Sequence, residues 1–319
     1  MPLEGTTDFY LRQGTALRLL YEKAEPYLWA TQFVRPVKDD KDAFTYSYDS
    51  TGKASDTKRE TPAHASIGGD FPEVDLSRPN YTTGMTESRG FQIRIKRKTI
   101  RDEPKGVSEI QRAYDFAGYW MAYWVHTDII TVITAGATTP TWTPTDTWDS
   151  ASATPVDDLV ALEEQMEREG YTYALTDVLV HKTNWYELKK YLTGVDIDGT
   201  KQRDIYGVPV VTKDRMRIPV IDADVLKCKS GLSEGYALGL DRNNPSAELH
   251  YYIDPKFSTV NVQYDTVVDG QRKRVTADNI GFHFDTWEER SSHDQILRFW
   301  VEDKVVVTEP YAALYDNGI

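Results

Sequence analysis

A chain of 319 residues is long enough to bury a substantial core in one large domain or two smaller ones. Its 50 Asp and Glu against 37 Lys and Arg give a formal charge of -13, which argues against a nucleic-acid reader and is most simply a solubility feature. The lone Cys228 excludes an intramolecular disulfide and a cysteine-built zinc site. The opening residues, with Glu4 and Asp8 and no apolar run, do not resemble a secretory signal, so a reducing cytosol fits.

With 20 Tyr and 8 Trp beside a modest aliphatic share, the composition suits extended strands and wet subunit contacts. Residues 8–23 form an amphipathic helix with Phe9, Leu17, Leu20 and Tyr21 on one side and Arg12 and Arg18 elsewhere. That helix either packs on its own domain or reaches a neighbour. Residues 27–48 read as extended chain, ending in the alternation Phe44, Tyr46, Tyr48, with a turn at VKDDKD.

From Thr51 to Arg89 the chain turns to Ser, Thr, Gly, Pro and charge, too poor in aliphatics to order itself, so neighbouring subunits are the natural support. FQIRIKRKTI, from Phe91, then alternates Phe91, Ile93 and Ile95 against Gln92, Arg94 and Lys96 as a strand with one basic face. Arg94, Lys96, Arg97, Lys98 and Arg101 lack the aromatic interleaving of a single-strand reader; a solvated face or acidic neighbours suit them better.

After Pro104 the spacing predicts one long helix over 107–135, with Ser108 and Gln111 as a capping box. Ile110, Ala113, Tyr114, Ala117, Trp120, Met121 and Trp124 form one broad apolar face, which Phe116, Tyr119 and Tyr123 widen, so both flanks need cover. Asp115 and Asp128 bracket an apolar stretch far short of the ~20 residues a membrane span requires. His126 in its midst reads as a packing or hydrogen-bonded residue rather than a ligand.

Residues 136–154 are a low-complexity surface loop. A mixed α/β region follows. It opens on a helix with Thr154 as N-cap, Pro155 at the first position and Asp157 and Asp158 in the first turn. Next come a buried strand at Val178–Val180, a helix from Asn184 to Leu192, a polar loop at 196–204, and further strands at 207–213, 220–226 and 236–240. From Asn261 to Thr308 the pattern is predominantly β, with WEERSSHD as a hairpin connection.

No stretch assembles convergent chemistry. Ser291, Ser292, His293 and Asp294 hold triad residue types too close in sequence to converge. Asp196 and Asp198 before Gly199 lack the remaining ligands of a calcium loop, and Glu163 and Glu164 diverge on a helix. No glycine-rich phosphate cradle, metalloprotease motif or dinucleotide fingerprint is present. No enzyme, cofactor or metal is therefore expected.

The order of these parts resembles the major capsid protein of tailed phages and related viruses, the Hong Kong 97-type fold. The resemblance rests on an N-terminal arm, a long polar loop at 51–89, a returning strand at 90–100, a long helix at 107–135, and the block PVDDLVALEEQMEREGYTYALTDVLVHKTNWYELKKYL with Trp185 opening its short helix. IYGVPVV and the terminal WVEDKVVVTEPYAALYD match the family's style.

The resemblance implies an α+β chain divided into an N-terminal arm and first strands (1–48), an extended loop and returning strand (49–100), and the spine helix of a peripheral domain (101–136). An axial domain (137–260) and the β-rich tail of the peripheral domain (261–319) complete it. It implies subunit contacts on the arm and loop, with Phe9, Arg12, Lys53, Lys58, Arg59, Phe71, Tyr81 and Arg89 as interface candidates. Ile110, Trp120 and Trp124 become packing residues of a spine covered by the β-rich tail and by a neighbour's arm.

The implied function is self-assembly into the hexamers and pentamers of an icosahedral head enclosing double-stranded DNA without sequence-specific binding. The protein would reside in the virion after assembly in the host cytoplasm, away from membranes. Portal, separate scaffold and decoration proteins are the implied partners, since the chain reaches the arm from Met1 without a fused scaffold. Some relatives crosslink a loop lysine to a distant asparagine; Lys53, Lys58 and Asn279 have the residue types, with no motif tying them together. An encapsulin-like nanocompartment shell is the first alternative, and a soluble two-domain hydrolase the second.

Overall fold

The computed structural model describes residues 12–48, 80–101, 105–138, 144, 146–150, 152–168, 173–194, 196–197, 200–201, 220–222, 232–268 and 271–319. Its centre is a layered unit built around one helix, α3 (Lys105–Gly136), roughly 48 Å long at ~1.5 Å per residue. The helix starts three residues before Ser108, which therefore lies inside the first turn and is not the N-cap.

One flank of α3 is covered by a five-stranded sheet whose middle is the long strand β14 (Gln295–Val307). Strands β4 (Glu87–Ile95), β10 (Ala247–Tyr252) and β13 (Phe282–Glu288) pair antiparallel with β14, and β1 (Val34–Asp39) runs parallel to β10. Asp303 lies opposite both Glu87 and Tyr251, so β4 and β10 take opposite edges of β14. Phe91, Tyr114, Phe284 and Phe299 interlock between sheet and helix, with Tyr114 and Phe299 edge to face at 5.7 Å.

The other flank is covered by the chain's own N-terminal helix, α1 (Gln13–Ala24). Ala16, Leu17, Leu20 and Ala24 are fully buried in the common core. The crossing depends on Gly118, where a Cβ would stand 2.6 Å from the Lys23 Cβ and 3.0 Å from the Leu20 carbonyl. A lysine–aspartate pair, Lys23 to Asp115 at 2.8 Å, closes its outer rim. Tyr21 fastens α1 to the antiparallel ribbon β11 (Asn261–Val268)–β12 (Gln271–Asp278) and its exit: its hydroxyl donates to Asn279 Oδ1 at 2.9 Å and accepts the Ile280 amide at 2.8 Å.

Asn279 is itself saturated, donating to Ser258 Oγ and to the Thr259 and Phe282 carbonyls. It is fully buried, so its amide is a structural knot with no exposed edge for crosslinking.

The second unit stacks helices on a four-stranded sheet. Its strand order is β15 (Ala313–Asn317), β9 (Tyr236–Leu240), β5 (Asp177–Val180), β8 (Val220–Asp222), with helices α4 (Pro155–Arg168) and α5 (Lys182–Gly194). Leu159, Leu162, Met166, Val178, Leu188 and Leu314 form its core, and Trp185 packs against it. The Trp148 indole donates to the buried Asp158 carboxylate at 2.8 Å, pinning the entry loop to α4.

Several local expectations are corrected. Residues 27–33 are 3-10 turns rather than extended chain. The strand of 90–100 stops at Ile95, because the Asp294 side chain accepts the Arg97 amide at 3.0 Å and starts a short helix, α2 (Arg97–Arg101). The last part of the polar loop is strand, since β3 (Asn80–Met85) pairs with β2 (Ala43–Tyr48). The loop at 196–204 contains a small hairpin, β6 (Asp196–Ile197) with β7 (Thr200–Lys201). Only 220–222 of the predicted strand 220–226 is described, and 207–213 lies outside the described residues, as does Cys228. Residues 247–252, from the second region of the sequence, belong to the first sheet, while 313–317, from the tail, belong to the second.

His126 is fully buried against the Trp29 ring at 4.6 Å, and neither of its nitrogens has a hydrogen-bond partner among the described residues. Packing is its role. Burial pushes its pKa down to about 4. The folded value lies below the unfolded one, so the stabilisation is complete above about pH 6.5 and is lost as pH falls from there towards 4. At about 1.4 kcal/mol per unit this amounts to roughly 3 kcal/mol. His126→Leu is expected to reduce the drop in unfolding free energy between pH 7.5 and pH 4.5, measured by urea titration of the unassembled subunit.

Candidate assembly surface

The predicted contact residues fall into three groups. Phe9, Lys53, Lys58, Arg59 and Phe71 lie outside the described residues. Arg12 is exposed just ahead of α1, and Tyr81 is 71% exposed on β3. Arg89 is engaged within its own chain.

Arg89 stands near the start of β4 and ties three elements together. Its guanidinium donates to Asp128 of α3 at 2.5 Å and to Asp303 of β14 at 2.7 Å. A flanking pair joins Lys304 to Glu87. The second Asp303 oxygen and the Arg89 Nε are buried without partners among the described residues. Burial drives the Asp303 carboxyl up to about 6 despite the facing guanidinium. Asp128 is raised by the same cause, while the two carboxylates outweigh burial and hold Arg89 above its ordinary value. The cluster fixes the root from which β3 and β2 extend.

A second polar chain fixes the ribbon's other side. The His250 ring bonds to Asp39 at 3.0 Å and Glu248 at 3.2 Å, and Arg35 reaches Glu248 at 3.2 Å. The Phe44 ring of β2 stacks on His250 at 3.8 Å. Burial alone would lower the His250 pKa, but Glu248 and Asp39 outweigh it and raise the value.

Of the predicted spine residues, Ile110 is fully buried, and Trp124 is half-buried with its ring 5.8 Å from Phe91. Trp120 differs: it is 36% exposed beside Phe116, itself 51% exposed, and its ring neighbours are Phe116, Tyr119 and Tyr123 of the same helix. The sequence missed this because α1 fills the groove beside Gly118 and leaves the next stripe open.

Among the described residues the candidate catalytic types do not converge. Ser292 donates to Glu289 at 2.6 Å and His293 bonds to Glu288 at 2.5 Å, so the triad residue types turn to separate carboxylates. A cleft of about 590 Å³ on the outer sheet face is lined by Gln92, Phe257, Arg298, Trp300 and Glu302. Within it Arg298 reaches Asp285 at 3.1 Å and Trp300 donates to Glu302 at 2.8 Å. Among the described residues no three His, Cys, Asp or Glu side chains gather as a metal site. Arg94, from the basic strand, meets Glu289 at 2.7 Å, in keeping with the acidic-neighbour reading.

A family model described as phage capsid protein matches residues 80–296, from the start of β3 to the start of β14. The chain belongs to this family. It is accordingly a structural component of a viral capsid and not an enzyme, which removes the hydrolase reading.

Solved structures agree on the fold of this capsid protein. The virus-like particle from Pyrococcus furiosus aligns with a TM-score of 0.54 at 10% identity, covering 95% of this chain and 98% of that one. The capsid of an empty GTA particle aligns at 0.58 and 11% identity, covering 92% and 90%. The mature capsid of bacteriophage PhiM1 aligns at 0.51 and 12%, covering 91% and 86%. The α+β architecture is thus the Hong Kong 97-type capsid fold. No curated protein matches the sequence.

Breaking a buried pair leaves its partner uncompensated at a cost of about 3–5 kcal/mol. Arg89→Met in this capsid protein should therefore lower the unfolding free energy of the unassembled subunit. The loss should be greater at pH 8, where Asp303 is ionised, than at pH 5, where it is largely protonated. Denaturant unfolding at both pH values measures the difference.

Proposed function

We propose that this chain is the major capsid protein of a tailed-phage-type virus and builds the hexamers and pentamers of an icosahedral head around double-stranded DNA. The family match over residues 80–296 carries the proposal, because it takes in β3, β4, the spine helix and most of the second unit. In this reading the first unit is the peripheral domain, and the second, with β15 returning to it, is the axial domain that faces the capsomer centre.

The N-terminal arm and the polar loop cross onto neighbours, bringing Phe9, Arg12, Lys53, Lys58, Arg59, Phe71 and Tyr81 into subunit contacts. Arg89 acts from behind by fixing the root of that arm. Many modest contacts then add through closed symmetry. Portal, a separate scaffold and decoration proteins join the same shell. A subunit charge of -13 leaves packaged DNA unbound to the wall and free to leave.

A second reading, a nanocompartment shell enclosing a protein cargo, is supported by the alignment with the virus-like particle, whose whole length this chain spans. Expressed alone and viewed by negative-stain electron microscopy, the protein is expected to form hollow closed shells or ring-shaped capsomers. A persistent monomer at high concentration would refute both readings. Particles recovered from the native source separate them: a DNA genome and a portal vertex support the head, a protein cargo supports the compartment.

A further inference from the structure

A lone two-stranded ribbon is marginal in water, so β2 and β3 need an anchor on the body. Among their described residues only Phe44 is buried. Its ring lies flat on the His250 imidazole, with 3.8 Å between centroids and 9° between planes, and Tyr46 approaches the same ring at 6.3 Å. Gly84 of β3 leaves room for this seat, since a Cβ there would stand 2.5 Å from the Phe44 ring.

The imidazole beneath is 2% exposed, and both of its nitrogens are engaged. Nδ1 meets Asp39 Oδ2 of β1 at 3.0 Å, and Nε2 meets Glu248 Oε2 of its own strand at 3.2 Å. An ionised carboxylate only accepts, and a neutral imidazole has a single N–H. Two carboxylate contacts from one ring therefore require both N–H groups of the imidazolium. Removing one proton sets a nitrogen lone pair against a carboxylate oxygen. A proton resting on Asp39 instead of Nδ1 serves the same contact and leaves the cluster's proton count unchanged.

The surroundings call for that charge. Asp39 lies beside Asp40 at the end of β1, and Glu248 is shared with Arg35 at 3.2 Å. Lys304 stands opposite His250 in the β10–β14 register, but its ammonium goes to Glu87. From β2 come the rings of Phe44 and Tyr46. The His250 hydrogen bond holds Glu248 below its ordinary value, while burial raises Asp39. The face of an aromatic ring is negative, so Phe44 is attracted to an imidazolium more than to a neutral imidazole.

We propose that His250 is a proton-operated seat for the β2–β3 ribbon: the imidazolium holds Phe44 against the body, and the neutral ring lets the ribbon lift away. The folded ring binds its proton more tightly than the unfolded chain does. The seat's contribution is therefore complete below the ordinary histidine value of about 6.5 and is lost as pH rises through the higher folded value. The seat belongs to a single chain and goes beyond the shell reading. In that reading, pH then sets how firmly the contact residue Tyr81 is presented.

Hydrogen exchange of the full, unassembled chain tests this, followed by mass spectrometry from about pH 6 to about pH 9 and corrected for the intrinsic rate at each pH. Peptides covering residues 43–48 and 80–85 are expected to lose protection roughly tenfold as pH rises, while residues 236–240 of the second unit keep theirs. The midpoint should coincide with the titration of the His250 ring, read from its carbon-13 shift and assigned by its absence in His250→Gln. That variant should show weak ribbon protection at every pH.

Asp39→Asn keeps the ring and removes one carboxylate, so the midpoint should move to lower pH by about one unit. A seat that acted by packing alone would not move it. Should His250→Gln fail to fold, Asp39→Asn decides, and the resonance that it shifts assigns the ring. Ribbon protection independent of pH, a midpoint apart from the His250 titration, or a midpoint unmoved by Asp39→Asn would overturn the proposal.

Discussion

The molecule depends on burying the spine helix on two sides at once. Ile110, Tyr114, Met121, Ile129 and Ile133 need apolar cover all along a helix of 32 residues, and no single element is long enough to supply it. The sheet around β14 takes one flank and α1 takes the other. Because β14 lies near the end of the chain and α1 near its beginning, satisfying one helix draws together segments from across the chain.

Where those distant segments meet, charge and hydrogen bonding fix their positions. Tyr21 and Asn279 lock the first helix to the tail, Asp39 and His250 lock the parallel strand to its neighbour, and Arg89 locks the returning strand to helix and sheet. Apolar burial brings these elements together without choosing one registration of them. The polar contacts are specific in distance and direction, and they cluster around the base of the segment that leaves the body. They hold the base of that segment in one position relative to the body.

Much of the fold was legible because it obeys simple periodicity. The long helix, the alternation of Phe91, Ile93 and Ile95, the hairpin connection WEERSSHD at 287–294 and the Thr154-Pro155 helix start are local signals, and each appears near its predicted place. What was not legible depends on contacts between remote residues. Nothing local says that Asp294 will end a strand at Ile95, that Ala247–Tyr252 and Ala313–Asn317 will exchange sheets, or that Gly118 will admit the chain's own first helix. Trp120 was misread for the same reason: helical spacing places it on a broad apolar face, and only the path of α1 decides which part of that face stays open. Among the candidate contact residues, Arg89 reads in the letters as one more charge of a polar loop, and only the distant Asp128 and Asp303 show it engaged within its own chain.

The pairing of β1 with β10 and of β4 with β14 has a consequence for the order of events during synthesis. Val34 must find Ala247, and Phe91 must find Phe299. Neither partner exists until most of the chain has left the ribosome. Such distant pairing makes folding slow and leaves aromatic surface uncovered in the meantime. A protein made in many copies would then hold a standing pool of half-clothed chains, and the final strands would act as the step that closes each one before it can join another.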